Sequence, residues 1–483
     1  MNPLLLTDGY KVDHRRQYPD KTTLVYSNWT PRKSRLEDVT EIVFFGLQYF
    51  LKKYVIEDFN RDFFGQPKEA VLKKYSRTIN NYLGENQVGI DHIAALHDLG
   101  YIPMVFKALP EGESVPLRVP MFTMYNSKPE FFWLTNYFET LLSAVIWMPC
   151  TSATIAGQYR KVLDKYALET SSVPEFVNWQ GHDFSMRGMA GIEAAVLSAS
   201  AHLLHFTGTD TIPAIGFMEQ YYLADSDHEL IGGSVAATEH SVMCMGTTEG
   251  EYETFKRLIT KIYPKGIVSI VSDTWDLWKV LTDYLPRLKS EITGREGKVV
   301  IRPDSGDPID IICGNPEGKT ENEKKGVIQL LWEVFGGTVN EKGFKELIPQ
   351  IGAIYGDSIT VERAIAICEK LKQNGFASTN VVFGIGSYTY QYNTRDTFGF
   401  AMKATYGEVN GQGRAIFKDP VTDDGTKKSA KGLMKIIKEN DSYTLIDEVS
   451  WEEEKQGELK EVFRDGELLI EHTLQEIRDR ARK

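Results

Sequence analysis

Directly after the apolar run Val299-Val300-Ile301 come Arg302-Pro303-Asp304-Ser305-Gly306-Asp307-Pro308, which crowd an arginine, two aspartates, two prolines and a glycine into seven residues. A plain turn needs no such combination, so a functional loop is the better reading. Gly181-His182-Asp183-Phe184-Ser185-Met186-Arg187-Gly188 sets an aromatic ring beside a guanidinium. Phe184 could stack on a flat heterocycle and Arg187 reach a phosphate or carboxylate, although a Phe capping a core and an Arg in a surface pair fit equally well. In Gly208-Thr209-Asp210-Thr211, Asp210 could cap a helix, or accept hydrogen bonds from an amide NH₂ while repelling a carboxylate, and so select amide over acid. Thr238-Glu239-His240-Ser241 places an imidazole beside an acidic residue. In Ser272-Asp273-Thr274-Trp275-Asp276, Ser272 or Asp273 could cap a helix, and Asp276 could orient an imidazole. Gly356-Asp357-Ser358 and Gly384-Ile385-Gly386-Ser387 are small enough for backbone N–H groups to approach a phosphate.

These segments share a context. From about 176 to 388 a short apolar, β-rich run is followed by small or charged residues and then a helical pattern. The runs are 176–179, 234–237, 267–271, 299–301, 351–355 and 381–383, with a weaker one at 206–207. Helices are expected over 189–204, 249–263, 275–288, 324–335 and 360–373. Such alternation requires parallel strands with right-handed crossovers, as a doubly wound sheet or, the reading favoured here, an α/β barrel with its chemistry at the C-terminal strand ends. The flanks differ: a strand at 23–27, helices near 44–54 and 68–83, a Pro-rich passage at 103–120, hairpin-like stretches at 442–446 and 461–468, and a charged terminal helix. The division expected is a barrel over 151–388 and one α+β domain built from 1–150 and 389–483. The basic stretch 426–431, with Lys427, reads by itself as a solvated turn.

With 42% apolar and 25% charged residues in 483, the composition is that of a globular protein large enough for two domains. A net charge of −12 disfavours nucleic acid as a partner but leaves room for a small anion in a local basic pocket. The four cysteines form neither a disulfide framework nor a metal knuckle and read as reduced thiols. No signal segment and no stretch approaching a membrane span is expected, so the cytoplasm is the expected compartment. Neither GxGxxG nor the Walker pattern occurs, which removes support for dinucleotide and P-loop readings.

Taken in order, Leu5-Leu6-Thr7-Asp8-Gly9-Tyr10-Lys11, GHDFSMRG, GTDT, ATEHS, VSDTWD, IRPDSGDP, YGDS and FKDP resemble the nicotinamide phosphoribosyltransferase family of type II phosphoribosyltransferases. The resemblance implies an irregular α/β barrel beside a second α+β domain, a homodimer with active sites at its interface, and transfer of the phosphoribosyl group from phosphoribosyl pyrophosphate to nicotinamide in NAD salvage. It implies Mg²⁺, and ATP as co-substrate or activator. Phe184 and the partner's Tyr10 would sandwich the nicotinamide ring, Asp210 would hold its amide NH₂ and Arg302 its carbonyl. Arg187 and Asp304 would position ribose and ring. Gly386, Ser387 and the partner's Arg395 would take the 5′-phosphate, with Gly356 and Asp357 close by. Lys403, Lys418 and Arg32 would face the pyrophosphate, and Lys427 would meet phosphate or ATP. His240 would be phosphorylated by ATP, with Asp276 orienting it. Two positions depart from the family pattern: Gly384-Ile385-Gly386-Ser387 replaces a longer glycine run, and Ser358 stands where glycine is usual. A nicotinate-specific relative, an inactive relative and an unrelated sugar-phosphate barrel are the rival readings.

Overall fold

The computed structural model describes residues 1–356, 358–418 and 430–483, so Asp357 and Lys427 lie outside the described residues. The chain forms two compact units: one of 155–216 and 225–392, the other of 1–154, 217–224 and 393–483.

Seven parallel strands make the sheet of the first of these, in the order Gly208–Thr209, Gly181–Asp183, Val381–Ile385, Ile351–Tyr355, Gly297–Arg302, Gly266–Val271 and Ala236–Ala237. The sheet curls, and its two edges approach through a parallel bridge between Gly208 and Gly233. The chain therefore has the mixed α/β, barrel-like architecture expected. Alternation along the strands sets the packing. Val268, Ile270, Val299, Ile301, Val381 and Phe383 join one buried core with Leu281, Leu285, Leu331, Ile367 and Leu371 of the helices. Each such side chain contributes roughly 1.5–3 kcal/mol by leaving water.

Several expectations need correction. Residues 176–179 are not a strand: Pro174–Phe176 is a 3₁₀ turn and Val177–Gln180 a helical turn. Pro174 at the first helical position is preset for that geometry, and the strand begins only at Gly181. The expected division at 150 and 388 lies close to the limits of the two units at 154 and 392, and the first limit falls inside one helix, Glu139–Thr170. That helix also has the length and hydropathy of a membrane span, contrary to the expectation that no stretch would, but 78% of its most apolar window is buried inside the protein.

The other unit carries an antiparallel sheet in the order Gln412–Ala415, Ala401–Val409, Thr22–Thr30, Phe122–Asn126, Met104–Ala108, Lys460–Arg464 and Glu467–Leu468. Asp465 and Gly466 turn the last hairpin with φ of 51° and 89°, the left-handed pair that a two-residue loop demands. Ser442–Val449 pairs with Leu433–Glu439 in a separate hairpin. Phe217–Ala224, read from the sequence as barrel, packs in this unit. The Tyr222 hydroxyl donates to the buried Glu111, and Gln48 donates to the Tyr221 carbonyl.

Candidate active site

The barrel strands bring one set of the candidate side chains together at their C-terminal ends. Gly297–Arg302 delivers Arg302, whose Nε and Nη2 donate to the two oxygens of Asp304 at 3.1 Å each, a bidentate pair. The Arg302 guanidinium carbon also lies 5.2 Å from the centre of the Phe184 ring. Gly356, at the end of the neighbouring strand, leaves room for this pair: a Cβ there would stand 1.9 Å from Asp304 Oδ1 and 2.7 Å from Arg302 Nε.

Phe184 follows the strand Gly181–Asp183, and its N–H donates to the Ile385 carbonyl. Beneath it, Asp183 is wholly buried and accepts from Ser185, Thr209 and Thr211, which ties the Phe184 loop to the Asp210 loop. Arg187 is exposed on the turn Met186–Gly188. Gly188 presses on Ser387, whose Oγ would be 2.0 Å from a Cβ at 188, so the Arg187 turn and the Gly386-Ser387 turn are neighbours.

Asp210 Oδ1 accepts from His182 Nε2 at 2.8 Å and from Ser234 Oγ at 2.6 Å. Burial works to raise its pKa, but the hydrogen bonds from His182 and Ser234, with the charges of His182 and Arg302, outweigh it and hold the carboxyl below its usual range. It is ionised at neutral pH and accepts only.

His240 is half exposed, and its Nε2 lies 3.5 Å from Asp273 Oδ1. Asp276 does not orient it. Its side chain caps the helix that starts at Leu277, accepting from the Lys279 N–H. Asp273 is the carboxylate in place: its side chain is 5% exposed, and its Oδ2 accepts from the Asp304 N–H and from the N–H and Oγ of Ser305. It thus couples the His240 helix to the Arg302–Asp304 loop. Sequence reasoning read Asp273 as a cap and gave His182 and Ser234 no part. The signal for Asp273 was its position immediately past a strand end; His182 and Ser234 carry none beyond their place beside Phe184 and Asp210 in space.

In the other unit, Lys403 is exposed on the strand Ala401–Val409, and its ammonium pKa is lowered by partial desolvation first and then by the positive charges of Arg32, Lys418 and Arg395, against the pull of Glu139. Three further cations acting on Lys403 make a positive field that an anion relieves. Arg32 is held by its Nε donating to the Gly399 carbonyl. Tyr10 is exposed on the 3₁₀ turn Gly9–Asp13, edge-on to His14.

Comparison with known proteins agrees with this arrangement. The profile of the nicotinate phosphoribosyltransferase (NAPRTase) family matches residues 179–467, and that of the nicotinamide phosphoribosyltransferase N-terminal domain matches residues 2–98. The chain is 55% identical over 492 residues to the nicotinamide phosphoribosyltransferase of Acinetobacter baylyi, covering 99% of this chain and 97% of the relative. It is 39% identical to that of Mycoplasma pneumoniae, over 89% of this chain and 94% of the relative. In fold it resembles the crystal structure of nicotinate-nucleotide pyrophosphorylase from Pyrococcus furiosus, with a TM-score of 0.60 at 14% identity over 99% of this chain and 95% of that one. With a profile match over more than half of its residues, and relatives of this closeness over nearly its full length, the chain belongs to the nicotinate phosphoribosyltransferase (NAPRTase) family.

Proposed function

We propose that the chain transfers the 5-phosphoribosyl group of phosphoribosyl pyrophosphate to nicotinamide, giving nicotinamide mononucleotide and pyrophosphate for NAD salvage. The observation that carries the choice of substrate is Asp210. An ionised, acceptor-only carboxylate near Phe184 satisfies an amide NH₂ and repels the carboxylate of nicotinate. That same feature disfavours the nicotinate-specific reading.

In the reaction the anomeric C–O bond breaks, pyrophosphate leaves with the electron pair, and the pyridine nitrogen forms the new C–N bond, so the positive charge ends on the ring. No proton needs to move. Phe184 and Tyr10 would stack on the ring, Asp210 and Arg302 would fix its amide, and positioning supplies much of the rate. Arg187 and Asp304 would hold the ribose, with Asp304 stabilising the cationic transition state. Gly386, Ser387 and Arg395 would receive the 5′-phosphate, and Gly356 and Asp357 would contact ribose or phosphate. Arg32, Lys403 and Lys418 would take the pyrophosphate. Mg²⁺, when bound with the substrate, would sit with the pyrophosphate beside Arg32, Lys403 and Lys418. There it would neutralise charge building on the leaving group. We further place in this proposal a homodimer in which Tyr10 and Arg395 come from the second copy, ATP stimulation through phosphorylation of His240 with Asp273 orienting the ring, an ATP or phosphate contact at Lys427, and a cytoplasmic location.

The test is to incubate the protein with phosphoribosyl pyrophosphate, Mg²⁺ and either nicotinamide or nicotinate, with and without ATP, and to quantify the mononucleotide by mass. Product from nicotinamide and not nicotinate is expected, increased by ATP. Product from nicotinate alone would keep the fold and overturn the specificity.

A further inference from the structure

Asp210 has two oxygens, and the protein spends both of its hydrogen bonds on one of them. His182 Nε2 and Ser234 Oγ converge on Oδ1, at 2.8 and 2.6 Å, and Oδ2 receives no hydrogen bond among the described residues. His182 is buried and in contact with the other ring-binding residue as well: its imidazole centre is 4.5 Å from that of Phe184. On its far side there is no slack, because a Cβ on Gly208 would fall 2.6 Å from His182 Nδ1. The ring is therefore wedged between Gly208, Phe184 and Asp210, with its Nε2–H committed to the carboxylate.

We infer that His182, assisted by Ser234, is a positioning residue that sets the amide-over-acid selectivity of this site by fixing the Asp210 rotamer and leaving Oδ2 as the acceptor offered to the substrate. The inference rests on the proposed nicotinamide reaction and deepens it. Two donors on Oδ1 pin the carboxylate, and the same two bonds keep it ionised. Without them the carboxylate turns freely and takes up a proton more readily. A protonated carboxyl can donate to the carboxylate of nicotinate, so loss of these donors weakens the hold on nicotinamide and relaxes the rejection of nicotinate together. A side chain that only filled space would alter neither preference.

The experiment measures kcat and KM for nicotinamide and for nicotinate, with phosphoribosyl pyrophosphate and Mg²⁺ saturating, in the full chain and in His182→Ala, Ser234→Ala and His182→Gln, with thermal melting of each. His182→Ala should reduce the nicotinamide-to-nicotinate ratio of kcat/KM by about tenfold or more, mainly through a higher KM for nicotinamide, as expected when a buried polar partner is lost. Ser234→Ala, on an exposed segment, should do the same to a smaller extent. His182→Gln, which can place an N–H near the position of Nε2, should recover most of the ratio. If His182→Ala does not fold, the ratio in Ser234→Ala decides. An unchanged ratio in folded variants, while the unaltered protein still prefers nicotinamide, overturns this inference and leaves the proposed reaction standing. Failure of the unaltered protein to use nicotinamide overturns both.

Discussion

Gly356 shows how little space separates a working constellation from a broken one. A single methyl group there would overlap Asp304 Oδ1 and crowd Arg302 Nε, so Gly356→Ala should push the pair apart while the strand beneath stays intact. We expect kcat/KM to fall by about 10²-fold, the cost of displacing positioned groups by an ångström, with an unchanged melting temperature. The two aspartates after the strand Gly266–Val271 allow a sharper comparison. Asp273→Asn should abolish ATP stimulation of the transfer, because Asp273 faces His240; Asp276→Asn should leave stimulation intact and cost stability by at most about 1 kcal/mol, as for a helix cap. Assaying both with and without ATP decides between them. Phe184, Arg187, Asp210, His240, Arg302 and Asp304 were legible because their types are unusual at strand ends. Asp273 was not, because an Asp before a helix has a bland explanation, and which of two aspartates three residues apart meets an imidazole is settled by the loop's path and not by spacing.

The strands and helices that carry these residues were legible where they were long. Gly266–Val271, Gly297–Arg302, Ile351–Tyr355 and Val381–Ile385 follow their apolar runs closely, and Lys68–Leu83 matches its helical pattern to the residue. The two-residue strands Gly208–Thr209 and Ala236–Ala237 have too few residues for any period to show. Glu139–Thr170 contains Pro149, a residue type that ordinarily breaks a helix, yet the helix continues through it with the ring packed against Gly46. One element carries a built-in acid weakness. His202, the last residue of the helix Ile192–His202, is fully buried between the Tyr390 hydroxyl at 2.7 Å and the Gly208 carbonyl at 3.1 Å. Burial, with a smaller contribution from His182, lowers its pKa from 6.5 to about 4. The unfolded chain takes up this proton at higher pH than the folded one, so its stabilising contribution is complete above pH 6.5, falls as the pH drops from 6.5 toward 4, and levels off below. Denaturant midpoints of the unaltered protein and His202→Gln should therefore differ most near neutral pH and converge on acidification; a constant difference would refute this.

At the scale of the whole chain, a net charge of −12 coexists with the cluster of Arg32, Arg395, Lys403 and Lys418. Local concentration, not overall sign, governs a small polyanion. The KM for phosphoribosyl pyrophosphate should accordingly rise with salt as the Debye length shortens from about 30 Å at 0.01 M to about 8 Å at 0.15 M, while the KM for uncharged nicotinamide stays flat. Lys403→Ala should raise the former at low salt and lessen its salt dependence. The same chain is sewn together from its two ends: Thr22–Thr30 has one neighbour, Phe122–Asn126, made soon after it, and the other, Ala401–Val409, made only after the whole barrel. At about 5–20 residues per second, a ribosome needs on the order of half a minute to deliver that missing partner. During that interval a strand with one open edge waits in the cell while the entire barrel is synthesised. The enzyme's yield therefore depends on how well nascent-chain chaperones shield that edge, and a slower-translated message should demand more of them.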